Sequence, residues 1–214
     1  MKVVVVGGHG RVGLLLTQRL SRAGQEVIGT VRSPRHFADV LSAGGRPALL
    51  DIASCDVDTL GDVLMDAQAV VFAAGAGYGS STAQKESVDR DGAVLVADAA
   101  ERVGVRRYVL VSSMGVDYQS KGHDADSFQT YLRLKGQADA DVRGRNLDWT
   151  IVRPSGLDDG PGTGRVRVGE RLGGGSIPRE DVAALLYRVI VEDLAVRKQF
   201  EVTSGADRID DLVW

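Results

Sequence analysis

The chain has 214 residues, 43% hydrophobic and 26% charged, with a formal net charge of −3. That length suits one α/β domain able to bury a core unaided, and the balance excludes a disordered or membrane-spanning class. A mildly acidic chain without a basic patch is not built to hold nucleic acid, and the single cysteine, Cys55, excludes an internal disulfide.

Met1 to Gly7 carries one basic residue and too short an apolar run for a secretory signal, so it reads as a first strand of a cytoplasmic protein with no membrane span. Strands are expected at Lys2 to Val6, Glu26 to Val31, Pro47 to Leu50, Ala69 to Ala73, Arg107 to Val111, Asp148 to Val152 and Phe200 to Thr203. Helical patterns fall between them near Val12 to Ala23, Pro34 to Ala43, Asp58 to Met65, Thr82 to Val103, Phe128 to Arg143 and Arg179 to Glu192. This alternation predicts an α/β fold: a doubly wound, Rossmann-type parallel sheet of about seven strands, helices on both faces, in a single domain over 1–214.

Two segments break the rhythm. Asp117 to Ser127 is polar and reads as a surface loop placed to cover a site. The stretch 156–176 holds eight glycines and a short β-like run, Arg165 to Val168, and is expected to form a small irregular excursion or hairpin on the substrate side. The apolar end, Ile209 to Trp214, is expected to close the core or meet another subunit, as a monomer or small homo-oligomer.

Val3-Val4-Val5-Val6-Gly7-Gly8-His9-Gly10-Arg11-Val12-Gly13 runs from a buried-type strand into an amphipathic helix. Gly7 permits a tight turn, Gly10 lets the backbone approach a pyrophosphate, and Gly13 allows helix to pack closely on sheet. The helix-start N–H groups around Arg11, Val12 and Gly13 then face the anion. No Gly-Lys-Ser/Thr closes the loop, which disfavours Walker-type phosphoryl chemistry. His9 reads as an ordinary exposed loop residue.

The second strand ends Thr30-Val31-Arg32-Ser33-Pro34-Arg35, without the acid that NAD-preferring sites place there. Arg32 and Arg35 offer guanidinium forks for a 2′-phosphate and Ser33 adds a hydroxyl, so the cofactor is expected to be NADP(H). Asp51 is placed to meet the adenine edge, with Ile52 beside it. Ala73, Ala74 and Gly75 leave room for the cofactor to pass. No metal site is expected.

Tyr131 and Lys135 lie four apart on one helix face, where the lysine charge favours the phenolate and the pair can exchange a proton with a carbonyl or alcohol. Ser112 or Ser113 can hydrogen-bond the reacting oxygen; strand alternation admits only one of them, and Ser113 is preferred. Taken with Val111-Ser112-Ser113-Met114-Gly115, Tyr131-Leu132-Arg133-Leu134-Lys135, Val152-Arg153-Pro154-Ser155 and Arg179-Glu180-Asp181-Val182-Ala183, these motifs resemble the short-chain dehydrogenase/reductase superfamily, specifically its atypical, NmrA-like members. The resemblance implies that Lys135 reaches the nicotinamide ribose and that Pro154 lies near the nicotinamide. It also implies either an NADPH-dependent oxidoreductase acting on a small-molecule carbonyl, quinone or flavin-like substrate, or a non-catalytic NADP(H)-binding redox sensor. A nucleotide-sugar epimerase is disfavoured, because too little chain follows Pro154 for a substrate lobe.

Overall fold

A computed structural model describes residues 1–77, 79–117 and 127–214. The valine run forms β1 (Lys2–Val6), and its alternation sets both faces of the sheet: Val3 and Val5 enter one core, Val4 and Val6 the other. The chain continues through α1 (Arg11–Arg22), β2 (Glu26–Val31), α2 (Phe37–Ser42), β3 (Arg46–Leu49), α3 (Val57–Leu64) and β4 (Ala69–Phe72). Then follow α4 (Thr82–Lys85), α5 (Ala93–Val103), β5 (Arg107–Val111), α6 (Ser127–Gly144) and β6 (Asp148–Pro154). Last come β7 (Gly156–Asp158), β8 (Arg165–Gly169), β9 (Ser176–Pro178), α7 (Arg179–Val191), β10 (Lys198–Ser204) and β11 (Asp207–Arg208).

The main sheet has nine strands rather than about seven, in the order β11-β8-β10-β6-β5-β4-β1-β2-β3. From β3 to β10 all pairings are parallel, and β8 and β11 extend that edge antiparallel. One core packs α1 and α7 against the sheet through Leu16, Leu20, Leu185 and Leu186; the other packs α3, α5 and α6 through Leu60, Leu64, Val96 and Val142. Strand order reverses between β1 and β4, so the crevice at the carboxyl ends of these strands is the expected ligand position.

The glycine-rich excursion differs from a free hairpin. Arg165 to Gly169 becomes a sheet strand with Val166 fully buried, while β7 and β9 pair as a separate two-stranded ribbon. Glu180 and Asp181, in the first turn of α7, hold the excursion's backbone: Gly162 N–H donates to Glu180, and the Thr163 and Gly164 N–H groups to Asp181. At the C-terminus, Trp214 packs on Phe200 with ring centroids 4.4 Å apart, which fits core closure.

The segment expected as one helix from Thr82 to Val103 is interrupted by a π-helical stretch, Glu86–Gly92. Such insertions shift side-chain register and concentrate at functional sites. Among the described residues no helix is long and apolar enough to cross a membrane. Most of the polar loop expected at Asp117 to Ser127 lies outside the described residues.

Candidate active site

The turn after β1 is shaped by close approach. Gly7 has φ +89°, and a Cβ there would stand 2.7 Å from the Ala74 backbone. A Cβ at Gly13 would meet the Gly7 carbonyl oxygen at 2.4 Å, whereas one at the exposed Gly10 would meet that oxygen at 3.1 Å and the Ala73 carbonyl oxygen at 3.7 Å. Gly8, which sequence reasoning passed over, is buried against Gly29 of β2, where a Cβ would come within 2.6 Å of backbone. The helix α1 starts at Arg11 with no side-chain cap and no acid in its first turn, so its positive end is left to a ligand. A glycine cradle and an uncapped helix start fit a dinucleotide pyrophosphate.

Arg32, Ser33 and Arg35 follow β2 at the carboxyl edge of the sheet. Arg32 and Arg35 are exposed, and the Arg35 Nε–H donates to the His36 Nε2 at 3.1 Å. Here His9 is not bland: its ring stacks on His36 with centroids 3.6 Å apart, and it hydrogen-bonds Asp39 at 2.9 Å, which ties the phosphate turn to the arginine segment. Burial, then His9 and the arginines Arg35 and Arg32, hold the His36 imidazole below its ordinary pKa. Asp51 is exposed and caps its own turn by accepting from Ala53 N–H; Ile52 is half-buried beside it.

On the other side of the β1–β4 crevice lies a cleft of about 1460 Å³. It is lined by Val12, Ala73, Ala74, Gly75, Ser113, Tyr131, Lys135 and Pro154, all expected from sequence. Gly7, Gly10, Arg11, Gly13, Arg32, Ser33, Arg35, Asp51 and Ile52 are not part of its wall. Arg32, Ser33, Arg35, Asp51 and Ile52 stand just past the carboxyl ends of β2 and β3, and Ala73, Ser113 and Pro154 at or just past those of β4, β5 and β6, on opposite sides of β1.

Lys135 is 3% exposed. Its ammonium donates to the Val111 carbonyl at 3.1 Å and lies 3.6 Å from Asp89 Oδ1. Asp89, carried inward by the π-helical stretch, is equally buried; its Oδ2 accepts from Ala76 N–H, and its Oδ1 has no hydrogen-bond partner among the described residues. Behind them Arg153, also buried, donates to Asp139 at 2.8 Å and to Asp117. Burial pushes the Asp139 carboxyl up, opposed by Arg153 and Ser112. Tyr131 sits one turn before Lys135, half-buried, with its ring stacked against Phe128 at 6.0 Å.

The choice between the serines rests on an alternation that does not apply. The strand β5 ends at Val111, and beyond it Ser112 and Ser113 both border the cleft. Ser113 Oγ donates to the Met114 carbonyl, whereas the buried Ser112 hydroxyl faces the Asp139 carboxyl. Residues missed from sequence also line the wall, notably Lys85, Asp89 and Arg179. Lys85 and Asp89 sit in a charge-rich helical run that reads as a solvated face, and only their burial separates them from it.

A sequence profile for NAD(P)H-binding proteins matches residues 7–193. The chain belongs to this NAD(P)H-binding family. A Saccharomyces cerevisiae protein of the UPF0659 group is 31% identical, covering 100% of this chain and 97% of its own length. The Bacillus subtilis uncharacterized sugar epimerase YhfK is 28% identical, with 96% and 95% covered. A solved Bacillus halodurans structure, provisionally named an NAD-dependent epimerase/dehydratase, superposes at a TM-score of 0.90 with 30% identity over 98% of this chain and 96% of that one. The family and fold are those of the atypical short-chain dehydrogenase/reductases, and the cofactor class is NAD(P)H.

Proposed function

We propose that this NAD(P)H-binding chain is an NADPH-dependent reductase of a small carbonyl, quinone or flavin-like acceptor. The observation that carries the reading is the buried Lys135 ammonium, fixed on Val111 and Asp89 one helical turn from Tyr131 in the cleft wall. A bound nicotinamide supplies the hydride. Lys135 has three donors, of which one is spent on Val111, so it can hold the ribose hydroxyls beside Pro154. Tyr131 gives a proton to the acceptor oxygen, and Ser112 or Ser113 hydrogen-bonds that oxygen. The N–H groups of Arg11, Val12 and Gly13 hold the pyrophosphate, Arg32, Arg35 and Ser33 the 2′-phosphate, and Asp51 and Ile52 the adenine.

The epimerase names of two relatives are not carried over, because β8, β10 and β11 extend the main sheet and the described residues form no separate sugar-binding lobe. The free Cys55 suits a reducing compartment, the cytoplasm.

The test is NADPH oxidation against a panel of aldehydes, quinones and flavins, alongside NADPH-dependent thermal stabilisation. Tyr131→Phe is expected to lower carbonyl reduction by about 10²–10⁴-fold while sparing transfer to a flavin or quinone. Stabilisation by NADPH with no acceptor turned over would replace the enzyme by a redox sensor.

A further inference from the structure

We propose that the cleft holds a carboxylate of its acceptor on Lys85, so that the substrate class is a carbonyl or related acceptor with an acidic group. Lys85 closes α4 and is 6% exposed, yet it lines the cleft. Its Nζ donates to the Ser127 carbonyl at 2.9 Å and to the Ser127 hydroxyl. Among the described residues no carboxylate lies within ion-pair distance of it; Asp89, on the same helical run, directs Oδ1 at Lys135 instead.

A buried charge is costly unless an opposite charge or a full set of hydrogen bonds meets it. Ser127 is neutral and takes two of the three ammonium donors. Among the described residues nothing else meets the third donor or the unit charge, which are left to the cleft. The other cations among the described wall residues each have a carboxylate: Lys135 stands against Asp89, and Arg179 donates at 2.7 Å to Asp159, which Arg11 also engages. One donor and one charge match a carboxylate. A phosphate, with nearly two charges and three acceptor oxygens, would call for a second free cation.

Position sets the size of the ligand. Ser127 and Tyr131 are four residues apart on α6, about 6 Å along the axis. An acceptor reduced beside Tyr131 therefore reaches Lys85 with an acid group on the far side of a single ring. This placement, though not the anion site itself, rests on the reductase reading.

The binding test uses NADPH-saturated protein with benzoate, benzamide or phenyl phosphate, followed by calorimetric titration. Benzoate is expected to bind wild type and Lys85→Arg, and to bind Lys85→Gln about ten- to a hundredfold more weakly. Benzamide is expected to bind wild type as weakly as benzoate binds Lys85→Gln. NADPH-dependent thermal stabilisation verifies that Lys85→Gln is folded; should it not fold, the benzoate-to-benzamide ratio on wild type decides. Equal binding of benzoate and benzamide, or unchanged benzoate affinity in folded Lys85→Gln, overturns the site, and tighter phenyl phosphate overturns the carboxylate assignment. In turnover, 4-carboxybenzaldehyde should show a lower KM than its methyl ester at similar kcat. Turnover of neither counts against the reductase and leaves the titration to judge Lys85.

Discussion

Arg32 and Asp139 illustrate two ways in which a charged side chain acts here. Exposed at the end of β2, Arg32 has its guanidinium available to a 2′-phosphate. A charge-assisted hydrogen bond of about 1.5–3 kcal/mol corresponds to a ten- to hundredfold preference for NADPH over NADH. Arg32→Asp is expected to erase that preference in equilibrium titrations; equal loss for both cofactors would remove Arg32 from the phosphate site. Asp139 is buried beneath Lys135 and Ser112, where burial raises its pKa. An acid that holds its proton more tightly when folded favours the fold at low pH, and that advantage is lost as pH rises from the unfolded value through the folded one. In thermal melts, the stability of Asp139→Asn relative to wild type should therefore rise with pH across that window and then level off. A relative stability that falls over the same window contradicts this reading.

At the scale of elements, the β1–α1–β2 unit and the π-helical stretch contribute in opposite ways to legibility. Four valines in alternation and glycines at fixed spacing make the first unit readable, because Gly7, Gly8 and Gly13 are each demanded by a contact that any Cβ would violate. Gly13→Ala places a methyl 2.4 Å from the Gly7 carbonyl oxygen and must push α1 off the turn. We expect a loss of about 1–3 kcal/mol in denaturant unfolding, with weakened NADPH binding. Wild-type stability with undiminished binding would show that the turn has slack. The stretch Glu86–Gly92 is different: its charges match a solvated amphipathic helix, and no local pattern announces the register shift that buries Asp89. For the same reason Lys85 is invisible to periodicity. The choice of one serine over the other lost its basis for a simpler cause, since strand alternation cannot be carried past the last strand residue, Val111.

For the molecule as a whole, most of the parallel sheet was readable from β-branched runs buried on both faces, the exposed edge strand β3 excepted. Of the edge strands, β8 was expected only as a short β-like run, Arg165 to Val168, without its place in the sheet, and β11 not at all, both being short and anchored mainly by Val166. The cofactor crevice follows from topology, because strand order reverses beside β1 and both halves of the expected site lie along that line. Substrate chemistry depends instead on burial, which only the assembled wall of α4, α6 and the excursion discloses. The central claim is that this crevice spends its NADPH on an acceptor. NADPH deuterated on one face of the nicotinamide C4, incubated with carbonyl acceptors whose new C–H bond keeps the label, tests it most directly. The account predicts that only one labelled epimer delivers deuterium to the product while NADP⁺ accumulates in step; an acceptor panel that takes up no deuterium from either epimer, with NADPH bound but unconsumed, would contradict it.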